Sequence, residues 1–154
     1  MKIGFYAGSF DPFTLGHLEL VKQASQIFEY VIVGIGINPN KERRYKKEDM
    51  KIAIEESLIA ENILNAKVVI YEGYTYEAAK ENGSYFLIRG LRNETDYLYE
   101  EEIARFNDKY DIDTIYLRAK DKGNISSSYV YNELKKGNDI TTYIPDPVKK
   151  LILK

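Results

Sequence analysis

Apolar and polar positions come in blocks along this chain, and the period of each block predicts an element. Ile3 to Ala7 is a short apolar run closed by Gly8, the pattern of a buried strand. Leu18, Val21, Ala24 and Phe28 then recur at helical spacing behind Thr14, whose hydroxyl suits an N-cap. Tyr30–Ile37 is a near-continuous apolar stretch of the kind found in strands covered on both faces, and Asn38-Pro39-Asn40 breaks it. A basic loop runs on to Lys47, and a helix follows with Met50, Ala53, Ile54, Ser57 and Leu58 on one face. The spacing next predicts a strand over Lys67–Tyr71, a short helix over Thr75–Asn82 and a strand over Tyr85–Ile88. A helix is expected over Thr95–Tyr110 with Tyr99, Ile103, Phe106 and Tyr110 in register, then a strand over Asp113–Leu117. Helices over Ser126–Lys136 and Asp146–Leu153 close the series.

Repeated strand–helix units with short loops predict an α/β fold, a Rossmann-like parallel five-stranded sheet with helices on both faces. The 154 residues fit a single domain over 1–154, with no repeat, low-complexity tract or linker. In such folds ligands bind at the carboxyl ends of the strands, at the point where strand order reverses. The least ordinary segments follow the first, second and fourth predicted strands or precede the helix at Ser126, so they are expected to meet at that edge.

Composition removes several alternatives. Lys+Arg 22 against Asp+Glu 24 leaves a net charge of -2, which gives no electrostatic footprint for nucleic acid and no polybasic anchor for a membrane. With no cysteine there is no disulfide, thiolate nucleophile or cysteine-held zinc, and one histidine, His17, rules out a histidine-rich metal site. No apolar run approaches the ~20 residues that span a bilayer, and the chain starts in a strand pattern without a leader; a cytoplasmic protein is expected.

Chemistry concentrates in four segments. Gly8-Ser9-Phe10-Asp11-Pro12-Phe13-Thr14-Leu15-Gly16-His17 joins a glycine turn to a helix start, where free backbone amides face an anion, and Gly16 is expected to let a phosphate approach the backbone. Ile125-Ser126-Ser127-Ser128 opens another helix with hydroxyls and amides. Arg89 and Arg92 flank Gly90-Leu91, and guanidinium forks suit phosphate oxygens, pairing with Asp96 or Glu100 being the plain structural alternative. Lys41-Glu42-Arg43-Arg44-Tyr45-Lys46-Lys47 reads as a solvated basic loop in which only Lys41 is singled out.

The Thr-x-Gly-His and Ile-Ser-Ser-Ser segments together resemble the paired signatures of the HxGH nucleotidyltransferase superfamily. Over essentially the whole chain the closer likeness is to the phosphopantetheine adenylyltransferase family of bacterial coenzyme A synthesis. It rests on Gly8-Ser9-Phe10-Asp11-Pro12, Asn38-Pro39-Asn40-Lys41, Ile88-Arg89-Gly90-Leu91-Arg92 with Asp96-Tyr97-Leu98-Tyr99-Glu100, Ile125-Ser126-Ser127-Ser128 and Gly137-Asn138-Asp139-Ile140. The resemblance implies transfer of AMP from ATP to 4′-phosphopantetheine, with His17, Lys41, Ser9 and Arg92 as the catalytic set. It implies nucleotide contacts from Ser9, Phe10, His17, Gly90, Leu91, Arg92, Glu100 and the run Lys122, Gly123, Asn124, Ile125, Ser126, Ser127, Ser128. Acceptor contacts are implied for Ser9, Lys41, Thr75 and Arg89. Mg²⁺ is expected to arrive with ATP rather than in a protein cage, and a homohexamer is implied. The chain departs from the family at Ala7, Leu15 and Tyr131 and in the loop Asp121-Lys122-Gly123-Asn124. A related transferase for another phosphorylated acceptor, of nicotinate mononucleotide or glycerol phosphate type, and a catalytically silent nucleotide-binding paralogue stay open at this point.

Overall fold

Strand β1 (Ile3–Gly8) occupies the middle of the sheet, hydrogen-bonded in parallel to β2 (Tyr30–Ile37) on one side and β4 (Phe86–Gly90) on the other. The computed structural model describes residues 1–153, the side chains of Glu94 and Thr95 excepted. With β3 (Ala66–Glu72) and β5 (Asp113–Leu117) the order is β3-β2-β1-β4-β5, all neighbours parallel. The Rossmann-like five-stranded sheet expected from the sequence is the one observed. The chain walks outward from β1 to β3, returns past β1 to β4, and so reverses direction between β1 and β4. The carboxyl ends of those two strands therefore frame a crevice.

Helices α1 (Leu15–Ile27), α2 (Lys47–Ala60), α5 (Ser127–Lys135) and α6 (Asp146–Ile152) build the larger core on one face. Alternate residues of one strand go to opposite faces: Tyr6, Val31, Val33 and Ile35 join that core, while Phe5, Ala7 and Ile32 turn to the other. On the second face lie α3 (Thr75–Glu81), packed through Ala78 and Ala79, and α4 (Glu94–Asp108), joined to α3 by an aromatic group. Tyr76 stacks on Tyr110 with centroids 3.8 Å apart, and Phe106 lies against Tyr74 and Tyr76. Gly34 of β2 is required by this packing, since a Cβ there would sit 2.4 Å from Phe5 Cζ.

Most element spans match the periodicity. The buried positions of α2 are Met50, Ala53, Ile54, Ser57 and Leu58, the face read from the sequence. Strand β4 runs two residues further than expected, so Arg89 and Gly90 are the end of the strand rather than the start of its loop. Helix α4 corrects the sequence reading of its face. Tyr99 and Phe106 are exposed, and the positions turned inward are Glu100, Ala104 and Asn107. The reason is that β4 presents Arg89 to this helix, and a carboxylate facing a half-buried guanidinium outweighs aromatic burial there.

Candidate active site

The Thr-x-Gly-His segment is a capping box. Thr14 caps α1, its Oγ1 accepting from the His17 amide at 3.3 Å, and its own amide donates to His17 Nδ1 at 3.0 Å. The Thr14 hydroxyl proton goes to the Ile125 carbonyl at 2.8 Å. An amide can only donate, so Nδ1 is the acceptor nitrogen and the ring proton sits on Nε2. Burial, and then the charge of Arg92, bring the His17 pKa down to about 4. The ring meets Phe10 edge-on at 5.0 Å and lies against Phe13 and Tyr6. At neutral pH His17 is thus a neutral donor held in one tautomer.

The Ile-Ser-Ser-Ser segment joins the first one directly. Ser127 Oγ donates to the Pro12 carbonyl at 2.7 Å, and Ser126 caps α5 by accepting from the Tyr129 amide. A Cβ on Gly16 would lie 2.8 Å from the Lys122 carbonyl and 2.9 Å from that of Ile125. On its Cβ side the close approach that Gly16 permits is to the loop before α5, and the residue also lines the crevice at the switch point.

These contacts shape a cleft of about 320 Å³ at the switch point. One wall carries Ser9, Phe10 and His17, a second carries Arg89, Gly90, Leu91, Arg92 and Glu100, and a third carries Lys122, Gly123, Ile125, Ser126 and Ser127. A neighbouring cleft of about 610 Å³ holds Lys41 and Ser128, with Ser9 and Ser127 lining both. Two expected residues line neither cleft. Asn124 is exposed, and the Thr75 hydroxyl is paired with Tyr71 Oη at 2.8 Å.

Both arginines of the Arg-Gly-Leu-Arg block take the structural pairings as well as their place in the cleft. Arg89 reaches both Glu100 oxygens, at 2.8 and 2.9 Å, and the Ala7 carbonyl at 3.1 Å. Burial works against its charge, but the hydrogen bonds and charge of Glu100 outweigh it and hold the Arg89 pKa above its ordinary value. A guanidinium has five N–H donors; three are engaged, which leaves two for an anion. Arg92 bonds Asp96 through Nε at 3.0 Å on a more exposed edge, and that hydrogen bond lowers the Asp96 pKa.

The basic run is solvated at Lys41, Glu42, Arg44 and Lys46, as the sequence suggested, but two of its arginines also make contacts the sequence did not predict. Arg43 and Arg44 fold back onto the Ser9–Asp11 loop, and Arg44 stacks 4.2 Å from the Tyr131 ring centre. Sequence reading assigned no site role to Asp11, Arg43 and Arg44, which line the second cleft, or to Tyr6, which lines the first; Asp96, named only as a pairing partner, lines the first as well. Asp11 lies inside the first motif and could have been flagged from it; no spacing marks Arg43.

Comparison with known proteins gives this geometry a lineage. The model of the cytidylyltransferase-like family matches residues 5–133. A phosphopantetheine adenylyltransferase of Lachnoclostridium phytofermentans is 37% identical over 155 residues, covering 99% of this chain and 94% of its own. The chain belongs to the phosphopantetheine adenylyltransferase family. Another phosphopantetheine adenylyltransferase, from Streptococcus pneumoniae, is 40% identical over 96% of this chain and 92% of its own. A solved structure from Vibrio parahaemolyticus that carries the name nicotinate-nucleotide adenylyltransferase superposes with a TM-score of 0.74. It covers 99% of this chain and 93% of its own, and at 19% identity it shares the fold alone. The chain is therefore a nucleotidyltransferase of the phosphopantetheine adenylyltransferase family, with that family's two motifs hydrogen-bonded to each other across the crevice.

Proposed function

We propose that this protein transfers the adenylyl group of ATP to 4′-phosphopantetheine, giving dephospho-coenzyme A and pyrophosphate. The observation that carries the reading is a donor set built for phosphates inside a family-wide sequence match: the neutral His17 Nε2–H, Arg92, two free N–H groups of Arg89 and the α5 N-terminus around one cleft. An oxygen of the acceptor phosphate attacks the α-phosphorus, the bond to the β-phosphate oxygen breaks, and pyrophosphate leaves. The nucleophile is already an anion, so no general base is required; the protein's task is alignment and charge stabilisation. His17, with its proton fixed on Nε2, donates to the α-phosphate oxygens as charge shifts. Arg92 and the Ser127 and Ser128 amides face the nucleotide phosphates, with Gly90, Leu91, Glu100 and the Lys122–Ile125 loop forming the remaining nucleotide wall. Arg89, Ser9 and Lys41 hold the acceptor phosphate, and Thr75 is assigned to the acceptor by the family resemblance alone.

Among the described residues no group of three or more His, Cys, Asp or Glu side chains could hold a metal ion. Of the carboxylates at the clefts, Asp11, Asp96 and Glu100 are engaged by arginines or amides, and Glu42 also lines the second cleft. In this reading Mg²⁺ enters as part of the MgATP substrate, held mainly by phosphate and water. Action in the cytoplasm belongs to the same reading and rests on the likeness to phosphopantetheine adenylyltransferases; among the described residues no helix is long and apolar enough to cross a membrane. Exposed Leu98, Tyr99 and Phe106 suit contact with further copies of this chain; a homohexamer is the assembly that the family resemblance implies.

The test is pyrophosphate release with MgATP and 4′-phosphopantetheine, set beside nicotinate mononucleotide and glycerol phosphate. Turnover with phosphopantetheine alone is expected; turnover with another acceptor alone would overturn the substrate reading, and ATP binding without any turnover would mark a silent paralogue.

A further inference from the structure

The loop after β1 and the loop after β2 hold each other in a reciprocal clasp. Arg43 Nη1 donates to the Ser9 carbonyl at 2.6 Å and its Nη2 to the Phe10 carbonyl at 3.4 Å, while its Nε donates to the Tyr45 carbonyl at 3.0 Å. Arg44 Nη1 donates to the Asp11 carbonyl at 3.0 Å. In return the Asp11 carboxylate accepts from the Arg44 and Tyr45 amides at 2.8 and 2.9 Å, and pairs with Arg43 at 3.7 Å. Three consecutive carbonyls of the first loop are thus bonded to guanidinium groups of the second. The side chains at the centre are mostly sealed, Arg43 at 15% and Asp11 at 13% exposure, unlike those of a surface pair.

The clasp sits where alignment is decided. Ser9 is the first residue it grips, and Ser9 lines both the His17 cleft and the Lys41 cleft. Phe10, the second, is in the left-handed region at φ +47, which a phenylalanine keeps only when its surroundings impose it. Phe10 in turn makes edge contact with the His17 ring. Lys41 stands two residues before Arg43, on the loop the clasp immobilises.

We propose that Arg43 is a positioning residue: by gripping the Ser9 and Phe10 carbonyls it sets the separation between the phosphate held beside His17 and the phosphate held by Lys41. This rests on the adenylyl-transfer reading above. A guanidinium is required because one planar group must meet carbonyls in several directions at once, which an ammonium on the same stem does not do. Bonding the carbonyl oxygens also draws their negative ends toward the arginines and away from the polyanions.

The experiment compares wild type, Arg43→Gln and Arg43→Lys by steady-state kinetics, ATP binding calorimetry, thermal melting and the NMR titration of His17. A 1 Å misplacement of reacting groups costs on the order of 10²-fold in rate. Both variants are expected to lose kcat by about ten- to a hundredfold, with the ATP dissociation constant and the His17 titration unmoved. Full turnover in Arg43→Lys would overturn the proposal, since charge alone would then suffice. Normal kcat with weakened ATP or acceptor binding would also overturn it and make Arg43 a ligand contact. Should Arg43→Gln fail to fold, Arg43→Lys decides alone. If wild type uses an acceptor other than phosphopantetheine, the substrate reading fails, and the variants are scored on the acceptor it uses.

Discussion

The two faces of the sheet are built on different terms. On the α1 side 23 buried apolar residues form one continuous core, whereas on the α3–α4 side seven do among the described residues. The second face compensates with the Arg89–Glu100 pair and the stacked tyrosines, and leaves Leu98, Tyr99 and Phe106 to solvent. The first face owes its stability to area removed from water, which is insensitive to direction. The second owes more to hydrogen-bonded charge, which is worth little unless its geometry is met. The difference also divides the site. His17 and the α5 N-terminus stand on the rigid side, and Arg89 is presented from the side whose packing is thinner.

That contrast can be broken in several places. The largest effect is expected from His17→Ala: loss of one preorganised donor lowers kcat by about 10²–10³-fold, while melting falls by a smaller measure because the Thr14 amide loses its acceptor, as pyrophosphate release and a melt will measure. Next is Ile54→Ala on the first face, where a fully buried side chain is lost and about 2–5 kcal/mol of stability should go in urea unfolding. Phe106→Ala, on the second face with the residue already 39% exposed, should cost far less in the monomer. A cost equal to that of Ile54→Ala would erase the distinction between the faces.

Arg89→Ala comes third. It strands the Glu100 carboxylate, 8% exposed as a residue, and should cost about 1–3 kcal/mol, below the range for fully buried pairs because Arg89 is itself partly wet. Acceptor KM should rise as well, and replacing both partners by methionine should restore stability without restoring acceptor binding. Arg92→Ala, whose pair with Asp96 is more exposed, should leave melting almost where it was while turnover falls.

The smallest effect is a titration. His17 is the lone histidine, so its NMR signal is unambiguous, and in the ligand-free protein its midpoint should lie at about 4 rather than near 6.5. Because the folded state takes up this proton later than the unfolded state, stability contributed by neutral His17 is complete above about 6.5 and is lost as pH falls toward 4. A midpoint near 6.5 would mean the ring is neither shielded nor held as an acceptor by the Thr14 amide.

The sequence by itself determined the order of strands and helices, the caps at Thr14 and Ser126, and the buried face of α2, because periodicity and capping act within a few residues of chain. It also carried both phosphate motifs and the Arg-Gly-Leu-Arg block, each contiguous, and with them most of the residues that line the main cleft. What lay beyond it were choices made between distant segments. Whether Arg89 would face Glu100 depended on which side of α4 met β4, and aromatic spacing pointed to the wrong side. Gly16 was legible as a glycine that something approaches, but only packing showed that the neighbour is the Lys122–Ile125 loop. Lys41 and Thr75 were assigned to the acceptor by likeness; only the fold shows Lys41 in an adjoining cleft that shares Ser9 with the first, and Thr75 paired with Tyr71. The Arg43–Asp11 clasp spans 32 positions of sequence and has no periodic trace, since a guanidinium's partners are set by where two loops meet. Local hydrogen bonding writes its pattern into the chain, whereas the partner of a charge is settled only when the strands have brought their ends together.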